Sequence, residues 1–165
     1  GSPAAGLILP GFGRTAGGVA GFPVTAPALA LTADSPRLEY DVWLESTGEV
    51  KVTLDCAPSL DFLPGEPLRV AVSFDDAAPV VAALATGATP AEWDRAVAES
   101  VRRVVTTHRV EHPGNHVLKL WLVTPGVVVE RLVIDAGGVR PSYLGPPESP
   151  RAPVDGSIDS ARDSR

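Results

Sequence analysis

The chain has 165 residues, 44% of them hydrophobic and 21% charged, which is a globular balance and excludes an intrinsically disordered chain. A net charge of -6 argues against a nucleic-acid partner, because phosphate needs a basic face. No apolar run reaches the ~18 residues of a membrane-spanning helix, and a chain of this size buries about 70% of its unfolded surface, enough for one domain with a real core.

Residues 1–3, Gly-Ser-Pro, read as a cloning scar, and the lack of any methionine reads as a piece excised from something larger. Residues 4–148 are expected to form the domain. Up to Ala30 the chain is rich in Gly, Pro and Ala, with short strands expected near Leu7–Leu9 and Gly18–Phe22. From Arg37 the period becomes two. Leu38, Tyr40, Val42 and Leu44 fall on one face, and Arg37, Glu39, Asp41, Trp43 and Glu45 on the other. After a turn at Gly48, Val50, Val52, Leu54 and Cys56 alternate with Glu49, Lys51, Thr53 and Asp55, so the two runs read as a hairpin. Cys56 is the single cysteine, on the apolar side of its strand, and allows no internal disulfide.

A third strand should point Leu68, Val70, Val72 and Phe74 inward, and a fourth follows in "PVVAALAT". Thr89, Pro90 and Glu92 predict a capped helix over Pro90–Glu99 with a Trp93, Val97, Val101 stripe. Three further strands are expected in "SVRRVVTTHRV", "NHVLKLWLV" and "VVVERLVID", the last two joined at Thr-Pro-Gly. Residues 149–165 read as a disordered tail or linker. Seven to nine short strands with at most one short helix predict an all-β, antiparallel β-sandwich of jelly-roll or carbohydrate-binding-module type, with a barrel as the alternative.

His108, His112 and His116 are four residues apart, which would align them on a helix, but Pro113 and Gly114 forbid one. No Cys or carboxylate falls nearby at ligand spacing, so no metal site is expected, and His116 reads as a half-buried residue bonded to backbone. Asp75 and Asp76 end a strand, where Asp commonly caps turns; calcium held by strand-end carboxylates is a lesser alternative, and no cofactor is expected. "GFGRTAGG" lacks the ending of a phosphate loop, and Ser142 lies in no nucleophile elbow. Nothing brings two carboxylates to glycosidase spacing.

The tryptophans ask for an explanation. Trp43 and Trp121 fall on the otherwise polar faces of their strands, beside Arg37 and Lys119 respectively. Three readings stand open: platforms for pyranose rings, packing against another domain or subunit, or a sheet covered on both faces within this domain. On the first, Trp43, Trp121, Lys119 and Arg37 are the candidate carbohydrate contacts, with no catalytic residue.

"LEYDVWLESTGEVKVTL", "PSLDF", "LRVAVSFDD", "GNHVLKLW", "PGVVVERLVID" and "SYLGPPES", in this order, resemble the C-terminal β-sandwich domain of glycoside hydrolase family 115, the xylan α-1,2-glucuronidases. "GFGRTAGGVAGFP" fits the start of that domain, and "SYLGPPES" is the most specific piece. One departure is Thr124, where the family usually carries Asp before Pro-Gly.

The resemblance implies a bacterial enzyme that removes glucuronic or 4-O-methylglucuronic acid from xylan, with its catalytic machinery in earlier domains. Twelve Arg against two Lys fits a GC-rich bacterial source. The domain is then expected to be a non-catalytic accessory. It supports architecture and assembly against other domains of the parent hydrolase or a second copy, with carbohydrate contact, in an enzyme secreted or periplasmic. The alternative is an autonomous carbohydrate-binding module that takes glucuronoxylan on an exposed Trp, its uronate held by Arg or Lys.

Overall fold

The computed structural model describes residues 5–13, 17–62, 65–85, 88–140, 142 and 145–151. In chain order the elements are β1 (Ala5–Pro10), β2 (Gly17–Phe22), β3 (Leu38–Leu44), β4 (Gly48–Cys56), β5 (Arg69–Phe74), β6 (Val80–Ala83), α1 (Pro90–Glu99), β7 (Arg102–Val110), β8 (Gly114–Trp121) and β9 (Val128–Asp135). The expected scar, and the expected tail beyond Arg151, lie outside the described residues.

The strands form two antiparallel sheets, a five-stranded one in the order β1-β2-β9-β4-β7 and a four-stranded one in the order β3-β8-β5-β6. This is the all-β sandwich that the alternation predicts. Strand β7 shows why. Val104, Thr106, His108 and Val110 are buried, while Arg103, Val105, Thr107 and Arg109 between them are exposed. Between the sheets Val50, Val52, Leu54, Cys56, Leu68, Val70, Val72, Phe74, Leu118 and Leu120 form the core.

One pairing differs from expectation. β3 and β4 do not form a hairpin. β3 pairs with β8 (Leu38 opposite Leu120, Leu44 opposite Gly114), and β4 crosses to the other sheet between β7 and β9. The connecting turn spans the sandwich edge, so the inner faces of both strands meet one core from opposite sides.

Helix α1 carries the expected capping box. Glu92 N–H donates to Thr89 Oγ1 at 3.3 Å, and Thr89 N–H donates to Glu92 Oε2 at 2.8 Å. Its expected apolar stripe is corrected. The helix stops at Ser100, in a left-handed conformation with φ 53°, so Val101 lies beyond it and Val97 is left half exposed. Ala96 is the buried helical residue, and its carbonyl accepts from Val101 N–H at 3.0 Å.

The four-stranded sheet is covered on its outer face too, over part of its area. Residues 27–37 run across it, with Leu29 and Leu31 packed on Ala71, Trp121 and Val123, and Leu29 N–H donates to Val123 O at 2.7 Å. Ser35 ties this segment to itself, its Oγ accepting from Thr32 N–H at 2.9 Å. Hence β5 is buried on both faces, Ala71 and Ser73 included.

Burial predicts where truncation matters. Leu54 is fully buried in the core, so Leu54→Ala should cost about 2–5 kcal/mol in denaturant unfolding. Leu60 is 61% exposed, and Leu60→Ala should stay within about 0.5 kcal/mol. Equal losses for the two variants would contradict the assigned core.

Candidate functional site

Two places on the four-stranded sheet gather chemistry. The first is its outer face. Trp43 stands on the edge strand β3, opposite Asn115 of β8, and is 67% exposed. Asp41 lies on the same face of β3, and Glu45 follows just past the end of the strand. Neither carboxylate makes an ion pair or hydrogen bond with another described residue.

Trp121 points to this same face, as its alternation with Lys119 requires, but it is not available to solvent. It is 4% exposed, covered by Leu29 and Leu31, with the Arg37 guanidinium 5.8 Å from its ring centre. The expectation of an outward, open Trp121 is therefore corrected. Register had its direction right, and Leu29 and Leu31, some ninety residues upstream, close over it.

The two expected cations are already engaged. Arg37 donates from Nε to Glu39 Oε1 at 2.6 Å and from a terminal nitrogen to Ala33 O at 2.6 Å. Lys119, largely covered, reaches Asp76 Oδ1 at 3.3 Å and sits opposite Glu39 in the ladder. Trp43 and Trp121 are opposite ends of one row, six residues apart along β8 and so roughly 20 Å from each other. The structure does not bring the four candidates to one point.

The second place is the end of β5. Asp75 follows Phe74 with φ 51°, a left-handed conformation that Asp tolerates better than most residues. That bend returns its side chain to β8. Oδ1 accepts from Val117 N–H at 2.8 Å, Oδ2 accepts from His116 Nδ1 at 2.7 Å, and Asp75 N–H donates to Val117 O at 2.8 Å. The other ring nitrogen of His116, Nε2, donates to His112 O at 2.9 Å. Carboxylate and carbonyl are both acceptors, so both contacts are satisfied only by an imidazolium. The His112 ring stacks on His116, with centres 4.6 Å apart and planes inclined by 19°.

The charges respond accordingly. The hydrogen bond to Asp75 raises His116 above the usual histidine range, outweighing the opposing effect of its burial. Partial burial works to raise Asp75, but the hydrogen bonds from His116 and Val117 prevail and hold it below the usual carboxylate range. His108 lies across Phe74, whose ring is edge-on to both histidines. Among the described residues its ring bonds to Thr106 Oγ1 alone, at 2.8 Å, and burial lowers it. The expected bond of His116 to backbone is present; its partnership with Asp75, 41 residues away in sequence, was not foreseeable from spacing.

Against this geometry the comparisons are informative. The family model for the glycosyl hydrolase family 115 C-terminal domain matches residues 7–148. The chain belongs to that family. A solved structure reported as a novel family GH115 4-O-methyl-alpha-glucuronidase, BtGH115A, with specificity for decorated arabinogalactans, is similar in fold, with a TM-score of 0.64 at 20% identity. The likeness covers 81% of this chain and 16% of that one, so the chain spans about one-sixth of the length of the structure it matches. A comparison with curated proteins gave no match.

Two positions singled out by the sequence, Gly145 and Thr124, take on physical meaning in the fold. The glycine of "SYLGPPES", Gly145, has φ 75°, and a Cβ there would come within 2.5 Å of the Arg131 guanidinium. Arg131 in turn clamps Asp55, donating from Nε to Oδ2 at 2.9 Å, while Arg103 adds a contact at 3.3 Å. Asp55 is thus buried on the outer face of the larger sheet, where alternation predicts an exposed residue. At Thr124, fully buried, the hydroxyl donates to Pro67 O at 3.1 Å and accepts from Arg69 N–H at 3.3 Å, so the turn is capped without a carboxylate.

The His116–Asp75 pair predicts a pH signature. His116 is raised on folding, so its contribution is complete below the unfolded value of about 6.5 and is lost as pH rises through the folded value. Asp75 is lowered, so its contribution is present above about 3.9 and is lost as pH falls through its folded value. Asp75→Asn in chelator-treated buffer should therefore cost most between about pH 4 and 6.5. The loss should be about 1 kcal/mol, less than a fully buried charged hydrogen bond because Asp75 is partly in solvent, and should shrink toward pH 9. Unfolding curves across that range check it; a difference that does not change with pH would contradict the imidazolium assignment.

Proposed function

We propose that this chain is a non-catalytic accessory domain that docks onto the rest of its parent hydrolase. The observation that carries this reading is the β1–β2 hairpin. β1 is an edge strand of the larger sheet, and it leaves Ile8 74% and Leu7 43% exposed on opposite faces, with Phe22 56% exposed beside them. β2 joins the hairpin to β9, with Val19 opposite Val129 and Ala20 opposite Val128. An exposed apolar edge of this kind is a liability unless another surface covers it. A parent some six times longer, as in the similar glucuronidase, supplies such a surface. The parent's substrate is then a glucuronic-acid-bearing polysaccharide, of the xylan or the arabinogalactan kind.

The non-catalytic part is supported by the ionisable groups. Asp55, Asp75, Asp76, His108, His116, Arg37 and Lys119 are all spent on contacts within the fold. A cavity of about 90 Å³ opens beside Leu29, Pro36, Arg37 and Leu120, and among the described residues on its wall Arg37 is the one that is ionisable.

A second reading has its own support in Trp43. An indole two-thirds exposed, bordered by Asp41, Glu45 and Asn115, offers a pyranose a stacking face and acceptors for its hydroxyls. With Arg37 and Lys119 engaged at a distance and carboxylates on either side, the sugar that suits this face is neutral rather than a uronate.

The expected outcome of mixing this chain with the remainder of the parent hydrolase is a stable complex, weakened at least 10-fold by Ile8→Asp, with no uronic acid released from aldouronic acids by this chain alone. Release by the chain alone would overturn the accessory reading. Tryptophan fluorescence titration with neutral xylo-oligosaccharides should respond only if Trp43 is a platform, and Trp43→Ala should then abolish the response.

A further inference from the structure

We propose that Asp75, His112 and His116 form a binding site for a divalent transition-metal ion of the zinc, cobalt and nickel class. The site rests on placement, independently of the docking reading. Each of the three residues offers one ligand atom, and these atoms lie within 4.8 Å of one another. They come from three separate places, the end of β5, the β7–β8 turn and the start of β8. Donors around a tetrahedral ion with bonds of about 2.0–2.1 Å stand roughly 3.3 Å apart, so the Asp75–His116 pair, at 2.7 Å, must open slightly while the third donor draws in. His112 can supply that movement, because it is exposed and lies in a turn.

What raises this above a chance gathering is the layer behind the donors. A ligating histidine characteristically donates its second ring N–H to a carbonyl or carboxylate, which fixes the tautomer. His116 does so, with Nε2–H on the His112 carbonyl at 2.9 Å. The nitrogen left to bind an ion is Nδ1, which is the one aimed at Asp75 Oδ2, 2.7 Å away. Asp75 is oriented in the same manner, with Oδ1 held by Val117 N–H at 2.8 Å. The stack of His112 on His116 sets a second imidazole beside the pair. Two imidazoles with one carboxylate suit borderline cations and not the all-oxygen preference of calcium or magnesium.

The ion takes the place of a proton. His116 as an imidazolium and Asp75 as a carboxylate sum to zero charge; a divalent ion bound to neutral His116, neutral His112 and Asp75 leaves the site at +1 and releases one proton to solvent. The neighbouring charges are Asp76, paired with Lys119, and Glu111, paired with Arg109. His108 lies behind Phe74 and is too deeply buried to compete for the ion.

The test is calorimetry of the tag-free, chelator-treated 165-residue chain with zinc chloride at pH 7.5 in two buffers of different ionisation enthalpy. One zinc per chain, release of up to one proton and a rise in Tm are expected. Cobalt should give visible absorption bands of a low-coordinate ion. His112→Ala removes an exposed side chain and leaves the fold intact; it should weaken zinc at least about 10-fold, and Asp75→Asn should do the same. Absence of saturable 1:1 binding, or zinc affinity unchanged in His112→Ala, would overturn the proposal.

Discussion

The structure depends on β5, and the Trp121 end of β8, being buried on both faces. A strand in a simple sandwich spends one face on the core and gives the other to water. Here the inner faces carry Val70, Val72, Phe74, Leu118 and Leu120 into the space between the sheets. The outer faces carry Ala71 and Trp121 under Leu29 and Leu31. The covering segment is short and irregular, so it must satisfy its own polar groups, and it does so through the Leu29–Val123 backbone bond, the Ser35–Thr32 contacts and the Arg37 side chain on Ala33 O. Where that cover ends, at the other end of β3, Trp43 emerges.

Polar side chains close the places where strand pairing stops. Thr124 caps the turn beside Leu68 and Arg69, Asp75 extends the β5–β8 ladder past Phe74, and Asp55 holds two arginines against the outer face of the larger sheet. Each is a group whose burial would be costly alone and is favourable with its partners in place. The two buried histidines show how far partners decide the matter. His108 and His116 flank one phenylalanine at one end of one core, yet burial depresses the first, while the second, with two acceptors, is raised.

Membership of the family 115 C-terminal domain accords with a molecule whose chemistry is mostly inward-looking. Asp55, Asp75, Thr124 and Arg131 hold turns and strands together through contacts within the fold. What remains outward is of another kind: the apolar β1–β2 hairpin, the Trp43 face, and the His112 imidazole above the Asp75–His116 pair. The hairpin belongs to the larger sheet, whereas Trp43 and the His112 imidazole lie at the same end of the smaller one, Trp43 opposite Asn115, the neighbour of His116.

Alternation by two along β4, β5, β7 and β8 was legible residue by residue, since which side of a strand is apolar is a local property of its sequence. The capping box of α1 was legible for the same reason, all its partners lying within one turn. Other features needed the tertiary structure. Pairing of β3 with β8 instead of β4, burial of Trp121 under Leu29, and the contacts Asp75–His116 and Asp55–Arg131, across 41 and 76 residues, join segments with no local sign of each other. Period and capping act within a few residues, whereas the choice of neighbour, and of what covers a face, is made by how the two sheets and the loops between them share one interior.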